Sequence, residues 1–385
     1  MQQPFVARQC HPREGAEPGK PPCPGGLAPR LPASAAMTWR AQLTAIVLAG
    51  CIAATLGPAL AQTHAPAPLP PVPVPHEVHA RIPPLKAPKS ALVEFDVSPF
   101  PYEGVVPRTH RPFFDITDED GRRGHSSRAG VLWEDATYSD RRALLFMPKG
   151  FDVRRPGLIV VFLHGNRATL ERDVGGRQRV AAQIADANVN AVLVAPQLAV
   201  NANDSSAGRF WESYGFARFI GEAGAHLARL HGDRRTRKTF ATLPVVIVAY
   251  SGGYVPAAWA LAKGGSESRV VGVLLLDALY GEVDKYADFI ARHPNAFFIS
   301  AYTSSSARGN ESLQQYLAEH EHPFVTSLPP RVEGTVAFLR TSGAGHEDFV
   351  TRAWTDDPIR DVLQRLGGYT RDPTRRIRTR QNLAR

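Results

Sequence analysis

Three residue types that together can run acyl chemistry stand at separate points of this chain. Ser251 lies in Ala249-Tyr250-Ser251-Gly252-Gly253, after the apolar run 245–248 and before the alanine-rich stretch 257–262. Asp277 closes the apolar run VVGVLLL, and His346 lies in Thr341-Ser342-Gly343-Ala344-Gly345-His346-Glu347-Asp348. A serine hydroxyl is a weak nucleophile unless a base takes its proton, and the base needs a third group to hold its tautomer. Each residue also has an ordinary reading. Small-x-Ser-x-Gly arises by chance in Gly- and Ala-rich chains, an aspartate after a strand can cap a turn, and a loop histidine can be a plain surface residue.

The elements around Ser251 favour chemistry. The run 245–248 is β-branched and suits a strand buried on both faces, and Pro256 fits the first turn of a following helix. Strand, serine between small residues, helix is the nucleophile-elbow arrangement, which needs small residues two before and two after the serine. Ala249 and Gly253 satisfy it. Further strands are predicted at 158–163, 191–195, 270–276, 296–300 and 335–339, with helices at 178–187, 216–230, 283–291, 311–318 and 359–366. Early strands are predicted at 91–97 and 142–147, and the stretch 107–128 between them reads as a surface loop of no assigned structure. Strand–helix alternation implies a parallel sheet with helices on both faces and a site outside the carboxyl ends of the strands.

On these motifs the chain resembles the α/β-hydrolase superfamily over residues 91–366. The family elbow reads G-x-S-x-G, and this chain departs from it at Ala249. The resemblance implies an α/β-hydrolase fold with a mostly parallel central sheet and helices on both faces. One short helix between Asp277 and the next strand leaves no room there for a large cap domain. The strand 158–163 exits into His164-Gly165-Asn166-Arg167, like the family loop that supplies an oxyanion N–H. By resemblance the oxyanion donors are the backbone N–H groups of Asn166 and Gly252, worth about 3 kcal/mol each. His164 itself is read as a structural histidine. The Gly-flanked loop after the last strand is where the family keeps its base, which makes His346 that base. The family's more usual acid position follows the strand 296–300, but Ala301-Tyr302-Thr303-Ser304-Ser305-Ser306 carries no carboxylate before Glu311. Asp277 is therefore the expected acid, with Asp284 and Glu311 in reserve.

The resemblance further implies a serine hydrolase cleaving carboxylic esters through an acyl-enzyme, with no cofactor and no metal. Activity is expected to fall as pH drops through about 6 to 7, where a free imidazole takes up its proton. A non-catalytic envelope protein on the same scaffold, and an acyltransferase or peptidase with the same three residues, stay open. Segment 201–214 is the expected pocket wall of a relatively open site, and Phe210, Trp211, Tyr214, Tyr250, Tyr254 and Tyr280 fall near strand exits where they can line a pocket or pack in the core. Acyl substrates, small or envelope-attached, are the expected partners.

Composition narrows the rest. The formal charge is +9, but residues 1–61 carry +3 and the tail 371–385 carries +5, so the body is near neutral. Such a body has no broad footprint for a phosphate backbone, which argues against nucleic acid. The basic tail reads as a solvated terminus, with weak contact to an anionic envelope surface as the alternative. Residues 1–36 read as a non-native or disordered extension. Residues 37–61 read as a signal peptide ending in Ala59-Leu60-Ala61, which places the protein in the periplasm or outside the cell. Lipidation at Cys51, in Leu48-Ala49-Gly50-Cys51, is the second reading and an uncleaved anchor over 42–61 the third. Residues 62–90 read as a Pro-rich spacer and 91–370 as the α/β-hydrolase domain. Cys10, Cys23 and Cys51 all precede the expected cut, so a cysteine nucleophile is excluded in the mature chain. His320-Glu321-His322 looks metal-like but lacks the spacing of a zinc motif, and no G-x-G-x-x-G or P-loop follows a strand.

Overall fold

The computed structural model describes residues 82–127 and 130–372. The extension 1–36, the leader 37–61, the first part of the spacer and the tail beyond Asp372 lie outside the described residues. The strands are β1 (Lys89–Glu94), β2 (Ile116–Thr117), β3 (Arg123–Ser127), β4 (Gly130–Trp133), β5 (Arg142–Met147), β6 (Leu158–Leu163), β7 (Ala191–Pro196), β8 (Val245–Tyr250), β9 (Val270–Leu276), β10 (Phe297–Tyr302) and β11 (Val336–Arg340). The helices are α1 (Glu134–Thr137), α2 (Val180–Asp186), α3 (Gly215–His231), α4 (Arg237–Thr242), α5 (Tyr254–Lys263), α6 (Val283–Arg292), α7 (Ala307–Glu319) and α8 (Pro358–Gln364).

Eight strands form one sheet in the order β1-β5-β7-β6-β8-β9-β10-β11. β5 runs antiparallel to both β1 and β7, and the pairs from β7 to β11 are parallel. The central strands β6, β7 and β8 are buried at every residue, which explains why they read as continuous apolar runs. Their side chains alternate between two cores. Ile159, Val161, Ile247 and Ala249 face one core with residues of α3, α5, α6 and α7, while Val160, Phe162, Val246 and Val248 face another with α2 and α8. Helices therefore cover both faces of the sheet, as alternation predicts. α3 ends at Gly232, whose φ of 92° is the left-handed cap that glycine allows.

Two stretches differ from the sequence reading. The end of the predicted spacer is packed: Ile82 and Leu85 are buried, and the Leu85 N–H donates to the Phe151 carbonyl. At the other end Arg371 donates to the carbonyls of Ala185 and Val189, so packed chain extends past both 91 and 370. The stretch 107–128 is no plain surface loop either. It carries β2 and β3, which with β4 make a three-stranded antiparallel sheet. Phe100, Phe113 and Tyr138 are fully buried beside it, their rings 4.9–5.7 Å apart. Aromatic residues spaced irregularly between prolines give no helical or strand period, and that hid this cluster. Among the described residues no helix is long and apolar enough to cross a membrane.

Candidate active site

β8 delivers Ser251 and α5 leaves it, joined by a single 3-10 turn, Ser251–Gly253. Ser251 has φ 50°, in the left-handed region that a residue with a Cβ enters at a cost of about 1–3 kcal/mol. The surroundings impose that conformation. A Cβ on Gly253 would stand 2.2 Å from the Leu163 carbonyl oxygen, so only glycine lets the elbow close on β6. Gly165 is equally tight, since its Cβ would lie 2.7 Å from the Ser251 Cβ. Ala249 is fully buried in the sheet beside Leu163 and Leu275, where its methyl group packs without distorting the turn.

The loop after β11 brings His346 back over Ser251. Its Nε2 lies 2.9 Å from the Ser251 Oγ and its Nδ1 2.6 Å from the Asp277 Oδ2. A charged carboxylate only accepts, so Nδ1 carries the proton and Nε2 accepts from the serine hydroxyl. Tyr250 supports the histidine twice, by stacking its ring at 5.1 Å and by donating its hydroxyl to the His346 carbonyl at 2.9 Å. Asp284 and Glu311 do not take part. Asp284 pairs with Lys285 at the exposed start of α6, and Glu311 is exposed on α7.

Asp277 is fully buried at the end of β9, with φ 44°. Sequence reasoning passed over what surrounds it. Besides the imidazole it receives the Thr303 N–H at 2.9 Å, the Thr303 hydroxyl at 3.0 Å, Ser305 at 2.7 Å and Ser306 at 2.5 Å. Burial pushes its carboxyl up, and the His346, Ser306, Thr303 and Ser305 hydrogen bonds outweigh that and hold it well below the ordinary carboxylate range. The run Thr303-Ser304-Ser305-Ser306 was the available signal. It leaves β10, the neighbour of β9, so its hydroxyls reach the end of the adjacent strand. Tyr280 completes the group, its hydroxyl 2.9 Å from Ser305 and 3.5 Å from the His346 Nδ1.

On the other side of Ser251 lie Asn166 and Gly252. Gly252 is the second residue of its 3-10 turn, so its N–H has no carbonyl within that turn to bond. A Cβ there would come 2.1 Å from the Asn166 Oδ1 and 2.6 Å from the Ser205 Oγ. Asn166 is itself pinned by Ser205 at 3.1 Å and by Asn203 at 2.9 Å. Below the loop, His164 is buried with both ring nitrogens satisfied. Nδ1 donates to the Gly165 carbonyl, and Nε2 accepts from the Leu198 N–H and the Gln197 amide. Burial drives its pKa down to about 4, so it stays neutral.

A recess of about 200 Å³ begins at Ser205, the residue that holds Asn166 and lies against Gly252. Ser205, Trp211, Tyr254, Val255 and Trp259 line it together with Val106, Pro107 and Arg108. Trp211 and Tyr254 thus face the recess, Tyr250 and Tyr280 flank His346, Phe210 is buried in the core and Tyr214 is exposed.

The strand order, with β5 alone reversed, and a strained serine between β8 and α5 now decide the architecture. The fold is that of the α/β-hydrolases. Solved structures similar to this chain include a feruloyl esterase module from Clostridium thermocellum complexed with sinapinate, 16% identical over 69% of this chain and 95% of that one, TM-score 0.41. An S-formylglutathione hydrolase from Agrobacterium tumefaciens is 14% identical over 63% of this chain and 94% of its own, TM-score 0.38. A thermophilic esterase from Thermogutta terrifontis, butyrate bound, is 13% identical over 54% and 80%, TM-score 0.32. No family model and no curated protein matches the chain.

Proposed function

We propose that the protein is an exported serine hydrolase that cleaves carboxylic esters through an acyl-enzyme. The observation that carries this is the hydrogen-bonded line from Asp277 through His346 to Ser251, with 2.6 Å and 2.9 Å links and a left-handed serine at its end. Ser251 attacks the ester carbonyl carbon while Nε2 of His346 takes its proton. The ionised Asp277 keeps the imidazole in place and stabilises it once charged. Negative charge developing on the carbonyl oxygen rests on the N–H groups of Asn166 and Gly252, fixed dipoles that need no reorganisation. Collapse breaks the bond to the alcohol, which leaves with the proton from His346. Water, deprotonated by the same nitrogen, then attacks the acyl carbon, releasing the acid and restoring Ser251.

Ser251 and His346 are both partly exposed, which suits an ester presented on a larger molecule in the envelope as well as a small one. Export through the leader 37–61 belongs to the same proposal, and mass analysis of the exported chain checks it by finding a new terminus at residue 62 or a lipid on Cys51. The decisive experiment is labelling of the purified full chain with a fluorophosphonate, followed by mass spectrometry. An adduct on Ser251 that disappears in Ser251→Ala is expected. A folded protein that takes up no probe would remove the nucleophile, and the proposal with it.

A further inference from the structure

Resting on the reading of Ser251 as nucleophile, we propose that the recess that begins at Ser205 is the acyl pocket, and that an Arg108–Glu282 latch across its far end restricts the protein to esters of compact acyl groups. The side is set by proton transfer. The leaving alcohol must take its proton from Nε2 of His346, so it lies on the imidazole side. Ser205, which holds Asn166 and lies against Gly252, lines the recess and so places it on the Asn166 side of Ser251. The acyl portion is the part directed into it.

Its length follows from α5. Tyr254 and Trp259 both line the recess and are five residues apart on that helix, a rise of about 7.5 Å. Beyond Trp259 the way is closed. Lys285 sits over the Trp259 ring at 4.7 Å and bonds Glu282 at 2.6 Å, while Arg108 reaches from the turn Val105–Pro112 to the other Glu282 oxygen, also at 2.6 Å. The Glu282 side chain is 4% exposed and its backbone is left-handed at φ 57°, so it is the fixed half of the latch. Arg108, 73% exposed, is the half that can swing.

The test is a series of p-nitrophenyl esters from acetate to dodecanoate. For the full chain kcat/KM should climb about fourfold per accommodated methylene, then fall by about tenfold once the acyl chain reaches the latch. Arg108→Ala should raise the octanoate-to-butyrate ratio by about tenfold, whereas Arg122→Ala, on the three-stranded sheet, should keep the wild-type ratio. An uninterrupted rise to dodecanoate, or an unaltered ratio in Arg108→Ala, overturns the proposal. So does an equal shift in both variants. Titration of Ser251→Ala with butyrate and octanoate esters, read by tryptophan fluorescence, separates pocket from chemistry. Butyrate-selective quenching without any fluorophosphonate adduct would keep the pocket and remove the esterase reading, and an adduct with hydrolysis indifferent to acyl length would do the reverse.

Discussion

The two sides of Ser251 are built by different means. On the proton side, His346 and Asp277 come from ends of strands in one sheet, and hydrogen bonds from Tyr250, Thr303, Ser305 and Ser306 fix them. On the acyl side a buried neutral histidine supports the Asn166 loop, and the recess wall comes partly from the excursion between β1 and β5, outside the strand–helix alternation. Polar fixation suits a proton relay, where a small misalignment is costly; a wall of aromatic rings and a movable arginine suits selection by size. Damage to the first side should therefore fall on kcat, damage to the recess on substrate choice, and damage around the Asn166 loop on stability or on the rate of attack by Ser251.

The largest separation of the two sides should come from Asp277→Asn. With the amide oxygen kept by the Thr303 N–H, the amide NH2 faces Nδ1 and favours the tautomer in which Nε2 carries the proton, so kcat should fall by about 10⁴-fold with the acyl-length preference unchanged. A loss below tenfold would mean that Asp277 only caps a turn. Next is the pH response of the acyl side. Unfolded, the His164 imidazole takes a proton near 6.5; folded, it refuses one until about 4. The unfolded chain thus binds more protons in that window, so stability is full above about 6.5 and is lost as pH falls, at about 1.4 kcal/mol per pH unit, reaching about 3 kcal/mol near pH 4. Denaturant unfolding at successive pH values measures the slope, and the His164 ring resonances should stay in their neutral position down to pH 5. Titration of that ring near 6.5 would show an exposed histidine instead.

How much of this was legible in the sequence follows the same division. The proton side was legible because Ser251 and Asp277 directly follow the apolar strands β8 and β9 and His346 lies in the Gly-flanked loop after β11, and periodicity finds strands: β9 begins and ends where the apolar run does. Its hydroxyl cage was not, since pairing of β9 with β10 brings Thr303, Ser305 and Ser306 to Asp277, and register across a crossover has no sequence period. The acyl side was mostly illegible. Trp211, Tyr254 and the segment 201–214 were marked for a pocket, but Arg108 and Glu282 are 174 positions apart and meet only in the folded chain. Asn166 was named by resemblance alone, and its part in oxyanion binding belongs to the proposal.

Gly252→Ala sharpens the comparison from the other direction. The added methyl would lie 2.1 Å from the Asn166 Oδ1 and 2.6 Å from the Ser205 Oγ, both ends of side chains that can shift. The fold should survive with little change in Tm, while displacement of the Asn166 loop slows fluorophosphonate labelling by about 10²-fold. Labelling at the wild-type rate would exclude that loop from oxyanion binding.

The smallest effect expected is that of Tyr250→Phe, and it tests whether the proton side depends on polar fixation rather than on packing. The ring still stacks on His346, and only the 2.9 Å bond to the His346 carbonyl is lost. One neutral hydrogen bond contributes about 1 kcal/mol, so unfolding should become easier by about that much and labelling slower by about fivefold. Tyr250→Leu removes stack and bond together. If the hydroxyl is what holds the loop, the two variants should label at similar rates; a leucine variant slower than the phenylalanine one by more than tenfold would show that the face of the ring, not its hydroxyl, keeps the imidazole over Ser251.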